Sequence, residues 1–250
     1  MQGLTTYPEL NGYTWSSLDP RFRDHINNRT LRCITILKDT HPQIKFDVFE
    51  RLNTGSVKLN SQELRHGLNH GPFMKALDDL AKNKRWRDAI GIRTDKRMKG
   101  AELILRYFAF RHDRPNYSKP LSSFLDQFSG KNKTLTEATV NDWSKDFNTV
   151  MERIDFAFGR LAFRIYENDI KTFSGFNSAL YDAEMIGFAE TTNSSLLAKK
   201  FDPQPFRKAT FTLFKDEKLS NSIRQATSDE VAVKTRIDTV IRFLNSYNAV

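Results

Sequence analysis

The chain has 250 residues, with 39 Lys or Arg against 30 Asp or Glu, a formal net charge of +9. Its 39% hydrophobic content, with 20 Phe, 7 Tyr and 3 Trp against 11 Gly and 8 Pro, excludes collagen-like, low-complexity and fully disordered chains. A single cysteine, Cys33, excludes an intramolecular disulfide framework and a multi-Cys zinc site, and the cation excess points to an anionic partner, nucleic acid first. The length suits one large domain or two small ones, with a core that needs no staples. The first residues show no basic segment followed by an apolar one, and no apolar run reaches about 18 residues. The expectation is a cytoplasmic chain with no signal peptide and no membrane span.

In chain order, residues 1–18 read as loop, with Pro8, Asn11 and Gly12 as turn formers. Asp19 and Pro20 begin a helix to about Asn27, Asp19 as its cap. Thr30–Leu37 alternates apolar and polar residues and is β-branched, the one clear strand, with Cys33 a buried inert thiol within it. A turn at 39–42 leads to a helix in which Ile44, Val48 and Leu52 share a face, ended by Gly55. Asn60 caps the next helix, with Glu63 at the capping-box position. Helices are predicted over 72–82, 95–112, 119–129, 139–169, 177–189 and 229–247. Leu103, Ile104, Tyr107, Phe108 and Phe110 mark one as buried, and Phe147, Met151, Ile154, Phe158 and Leu161 another. Ser228 or Thr227 caps the last helix, whose apolar stripe is Val231, Ile237, Ile241 and Leu244. A lone strand cannot form a stable sheet, so its partners are expected to be missing or to lie on another chain.

Phosphate-loop, dinucleotide, zinc-protease and nucleophile-elbow motifs are all absent. His66 and His70 stand at i, i+4, but a metal needs a third ligand, and no metal site is assigned. Charge is concentrated instead. Between Lys82 and Arg114 there are eleven cations against four anions, a net +7. Lys82, Lys84, Arg85, Arg87, Arg93, Lys96, Arg97 and Lys99 alternate with Trp86, Ile90, Ile92 and Met98, as a structured basic surface would, and are the candidate nucleic-acid contacts. A solvated helix face accounts for the same pattern.

Phe46–Arg65 reads as helix, tight polar turn, helix. Glu50, Arg51, Asn53 and Thr54 crowd a helix C-terminus, Gly55 permits close backbone approach, and Asn60 and Ser61 open a helix whose N–H groups could meet a phosphate. Capping and turn chemistry explains the same residues. The segment also resembles the hallmark of the ParB-like family called domain of unknown function 262, which includes GmrS-type restriction subunits. The matching positions are Phe46, Phe49, Glu50, Arg51, Leu52, Asn53, Thr54, Gly55, Leu59, Asn60, Gln62, Glu63, Leu64 and Arg65, with Ser56 in place of a usual Gly. Gly71–Phe73, Asp95–Met98 and Glu102–Phe110 fit the same pattern, and the match spans roughly 1–130. The family's Asp-Gly-Gln-Gln-Arg motif, expected upstream, is absent.

The resemblance implies a mainly α chain with an α+β remnant: residues 1–115 as the C-terminal part of a ParB-like domain, 116–250 as a helical domain. It implies a DNA-associated protein of a bacterial or archaeal defence or restriction-type system, binding rather than catalytic in this form. The family-motif site would comprise Glu50, Arg51, Asn53, Thr54, Gly55, Asn60, Glu63 and Arg65. Two alternatives stay open. One is a nuclease subunit that hydrolyses a nucleoside triphosphate with Mg, if activity is retained. The other is a non-catalytic module or fragment whose sheet is completed by a protein partner.

Overall fold

Short polar side chains begin most of the helices of this chain. Asp19, Asn60, Asn83, Thr136, Asn177 and Asp229 each accept a hydrogen bond from a backbone N–H of the first turn that has no partner within its helix. A computed structural model describes all residues except 31–32, 34, 36, 38–39, 41–43, 45–47, 49–50, 52–57, 168–169 and 249–250. The described residues form twelve α-helices and no strand, with one isolated antiparallel bridge between Tyr166 and Phe173. The fold is mainly α. The chain divides into two units, Met1–His41 and Pro42–Val250.

In the first unit, Asn11 clasps Leu4, accepting from its N–H at 2.9 Å and donating to its carbonyl at 3.1 Å. Helix α1 (Pro20–Asn27) starts as expected, with Pro20 leading and Asp19 capping through the Arg21 N–H. The strand expected at 30–37 is not formed at Thr30, Cys33, Thr35 or Leu37. These residues are exposed, while Leu31, Arg32, Ile34 and Ile36 lie outside the described residues. Alternation gains nothing without a second strand to pair the backbone and cover one face. For the same reason the Cys33 thiol is exposed, not buried.

The second unit holds α2 (Ser61–Leu68), α3 (Pro72–Ala81), α4 (Lys84–Ile90), α5 (Lys99–Asp113), α6 (Leu121–Asn132) and α7 (Glu137–Phe158). It continues with α8 (Ser178–Glu190), α9 (Ser194–Leu197), α10 (Pro203–Leu213), α11 (Glu217–Arg224) and α12 (Glu230–Ser246). Ahead of them, Ile44, Val48 and Arg51 are helical, and their intervening neighbours lie outside the described residues. One core runs from Phe73 to Leu244, so the elements on both sides of residue 115 share it. The buried faces expected of α5 and α7 are buried as expected. Helix α7 stops at Phe158 and does not continue to 169. Gly159 takes φ +55° there, outside the helical region, and its N–H closes on Asp155 O. Helices α4, α9, α10 and α11 go beyond those read from sequence. The last helix is capped by Asp229, not Ser228 or Thr227, and Val231 faces solvent, because at 100° per residue it stands off the face that buries Ile237 and Leu244.

At the centre is α8. It packs against α5, α7, α11 and α12, and every residue from Ala179 to Phe188 is buried. A helix covered on all sides is ordinarily apolar all round, yet this one carries Asp182 and Glu184. Asp182 is fully buried between Arg106 of α5, which binds it with both Nε and Nη2, and Arg236 of α12. Arg236 is itself fully buried and also donates to Thr227 O at 2.7 Å. Glu184 Oε2 accepts from the Phe163 N–H at 2.8 Å, while Oε1 has no partner among the described residues. Burial pushes the Glu184 carboxyl up to about 8, against the opposing Phe163 N–H and Arg164 charge. Gly187 lets α12 come close: a Cβ there would stand 2.8 Å from Val240 Cγ1.

Asp182→Asn leaves two buried guanidinium groups uncompensated and should lower unfolding free energy by about 3–5 kcal/mol in urea titrations. Glu184 is neutral in the folded chain and ionised in the unfolded one between its ordinary 4.5 and about 8. The folded state therefore binds the extra proton, and stability should fall as pH rises across that window, then level off. Glu184→Gln should flatten this fall when urea midpoints are compared at about pH 5 and about pH 8.

Candidate nucleic-acid interface

The described part of the hallmark segment is held by its own hydrogen bonds. Asn60 Oδ1 accepts from Glu63 N–H at 2.9 Å and Glu63 Oε2 accepts from Asn60 N–H at 2.7 Å, the reciprocal box expected from the sequence. Arg65 is 1% exposed. Its Nε donates to Asp126 Oδ1 at 2.6 Å, its Nη1 to Glu102 Oε2 at 3.1 Å and Gln62 Oε1 at 3.3 Å, and its Nη2 to Ser122 O at 3.3 Å. Arg65 thus fastens α2 to α5 and α6. Arg51 is helical and exposed, and Glu50, Asn53, Thr54 and Gly55 lie outside the described residues. The described donors do not fit a triphosphate: Arg65 is fully engaged, and the carboxylate of Glu63 occupies the helix N-terminus where a phosphate would sit. His66 Nε2 meets Asp78 Oδ2 at 2.7 Å, while His70 lies beyond the end of α2, so the two histidines do not share a helical face.

The structure sorts the eight basic candidates into three groups. Lys82 pairs with Asp79 at 2.8 Å, Lys84 with Asp88 at 2.7 Å, and Arg85 with Glu152 at 3.5 Å and Asp155 at 3.4 Å. These cations lie beside carboxylates and add little net field. Arg87 and Arg97 brace the backbone. Arg87 donates to Lys82 O and Arg93 O. Arg97 donates to Lys58 O at 2.8 Å and pairs with Glu63 at 3.1 Å, while its own carbonyl accepts from Asn60 Nδ2 at 2.8 Å. The third group is Arg93, Lys96 and Lys99, exposed and without an ion pair to any described residue. Farther along the charged run, Arg106, Arg111 and Arg114 point to Asp182, Asp146 and Glu190. Much of the sequence's net +7 is therefore neutralised by acids elsewhere in the chain, and the exposed cations without an ion pair lie on the turn between α4 and α5 and at the start of α5.

That turn is rigidly built. Gly91 ends α4 at φ +73°, and Arg164 donates to Ala89 O at 2.8 Å to hold the same end. At the other end, Asp95 accepts from Lys99 N–H and Gly100 N–H, each at 2.7 Å, capping α5 from outside while Met98 takes φ +55°. Gly100 is required here, because a Cβ would stand 2.9 Å from Asp95 Oδ2 and 3.1 Å from Trp86 Nε1. The turn is thus fixed at Arg93 by Arg87, at Asp95 by α5 and at Arg97 by α2. The helix expected over 95–112 has Asp95 inside it, whereas the residue stands before α5 and caps it. The signal in the sequence is an Asp a few residues before a Lys-Gly pair with no cap of its own.

No family model matches the chain, and no curated protein or solved structure matches it. Among the described residues, no helix is long and apolar enough to cross a membrane, and no three His, Cys, Asp or Glu side chains gather as a metal would require.

Asp95→Ala removes both acceptors from the first turn of α5. It should cost about 1 kcal/mol in chemical denaturation and speed amide exchange at Lys99 and Gly100 ahead of the rest of α5.

Proposed function

We propose that this chain binds nucleic acid through the turn between α4 and α5, with Arg93, Lys96 and Lys99 contacting phosphates. The observation that carries the reading is that these cations have no described carboxylate partner while the backbone beneath them is braced at three points. A fixed row of uncompensated charge suits a regular polyanion better than a small acid, because little ordering is needed when phosphates replace their counterions. Lys82, Lys84 and Arg85, already beside carboxylates, are secondary contacts at most.

The resemblance of Phe46–Arg65 to the ParB-like hallmark supports DNA as the nucleic acid and a defence or restriction-type system as the setting. On this reading the chain binds rather than cleaves, since Arg65 and Glu63 knit α2 to its neighbours.

Binding should show as a steep loss of affinity with salt in fluorescence anisotropy titrations. Neutralising Arg93, Lys96 and Lys99 to Gln together should reduce the slope of log K against log salt by about one unit for each phosphate no longer neutralised. Neutralising Lys82 and Lys84 to Gln should leave the slope nearly unchanged. A wild-type chain that binds no DNA at about 50 mM salt overturns the proposal.

A further inference from the structure

A second feature follows α7 in the chain, and its lining shares no residue with the α4–α5 turn. After the short 3-10 turn Gly159–Leu161, the chain makes a small hairpin closed by the bridge between Tyr166 and Phe173. Glu167 N–H donates to Thr172 O at 3.1 Å and Ser174 N–H to Ile165 O at 2.7 Å. The base of the hairpin is anchored: Tyr166 is buried, packs edge-on against Phe214 at 5.1 Å and donates to Arg207 O at 3.0 Å. Between this hairpin and α10 and α11 is a cleft of about 390 Å³, within the range of ligand sites.

The walls of the cleft combine two chemistries. Phe173, Phe211, Tyr166 and Phe214 line it, the last two buried. Phe173 is 38% exposed, which leaves its ring open to a ligand. Each of the two outer rings carries a cation. Arg160 lies 5.5 Å from the Phe173 centroid and Lys215 Nζ lies 4.7 Å from that of Phe211. Lys215 and Arg224, both on the lining, are exposed and make no ion pair with a described residue. Glu167 is the one carboxylate among the described lining residues. Neighbouring Asp216 is turned to cap α11 through Leu219 N–H at 2.8 Å.

We infer that this cleft takes an unpaired nucleobase stacked against Phe173, with Lys215 and Arg224 on the adjoining phosphates, so that the chain engages single-stranded nucleic acid. Aromatic rings flanked by cations form a platform for single strands, because every base has a face to stack and every linkage a charge to meet. A base within a duplex is already stacked on both sides and reaches such a cleft only by flipping out of the stack, which disfavours it against an unpaired base. The inference rests on the nucleic-acid reading above and adds which form of the polymer is bound, and where.

The test is fluorescence anisotropy on the full chain, with a labelled single strand of about 16 nucleotides and the matching duplex. Phe173→Ala should weaken single-strand binding about tenfold and leave duplex binding unchanged. Phe173→Trp should retain single-strand binding. Lys215→Gln with Arg224→Gln should weaken it and make it less salt-dependent. Thermal melts of each variant establish that the fold is intact, which the exposure of these side chains favours. If Phe173→Ala leaves single-strand affinity unchanged while neutralising Arg93, Lys96 and Lys99 weakens binding, the cleft assignment is overturned and the α4–α5 reading stands. If Phe173→Ala weakens single strand and duplex alike, the selectivity for single strands is overturned. If the wild-type chain binds neither, both proposals fall.

Discussion

The carboxylate of Asp182 is the constraint around which the helical unit is arranged. It sits in the middle of a helix with no exposed face, where an ionised group without partners would be prohibitively expensive. Two guanidinium groups make the position tenable. Arg106 arrives from α5 with a two-pronged hydrogen bond, and Arg236 arrives from α12 with its Nη1 directed to Thr227 O and its Nε without a partner among the described residues. Because such geometry is unforgiving, α5, α8 and α12 must be held in fixed relative register. The close passage of α12 over Gly187 is the packing counterpart of that requirement.

Around this triad the aromatic residues form a continuous framework. Trp86 meets Phe147 at 5.5 Å and Tyr181 at 5.6 Å, and Phe73, Phe108 and Phe128 surround Trp143, on which His112 stacks at 3.8 Å. These rings link α4 to α7 and α8, so the rigid triad at the centre is coupled to the end of α4 that launches the basic turn. The turn itself is held by short polar groups. Arg97 and Asn60 join it to α2, and Asp95 joins it to α5. A chain of packing and hydrogen bonds thus runs from a buried ion triad to an exposed row of cations. The device at each end is electrostatic: in the core two guanidinium groups share one carboxylate, and on the surface the cations form no ion pair with a described residue.

Charge in this protein also shows how far a linear count can mislead. Eleven cations between Lys82 and Arg114 look like one basic surface. Arg106, Arg111 and Arg114 instead face acids on α7 and α8, and Lys82, Lys84 and Arg85 lie beside nearby carboxylates. The acids of the long-range pairs lie 35–76 residues away in sequence, so no local window contains both partners. The hallmark segment carries a similar lesson. Arg65 has the appearance of an exposed functional group at the end of a polar motif, yet it is buried and shared among Asp126, Glu102, Gln62 and Ser122. A long cationic side chain can be a fastener between helices as readily as a ligand contact.

Local chemistry made much of the helical layout legible in the sequence. Asp19 with Pro20 and Asn60 with Glu63 start helices at the expected residues, because capping depends on neighbours three positions away or fewer. The apolar spacing of α5 and α7 likewise marked their buried faces, since a helix repeats every 3.6 residues whatever packs on it. Tertiary structure decided the rest. The alternation at Thr30–Leu37 needed a partner strand that the described residues do not supply. The burial of Asp182, Glu184 and Arg236 needed three helices to converge, and Asp95 became a cap only when the chain turned at Met98. Whether a cation is available to a polyanion is decided by which acids the fold places beside it. Arg93, Lys96 and Lys99 form no ion pair with a described residue, because the fold turns the acid on their turn, Asp95, to backbone N–H groups of α5.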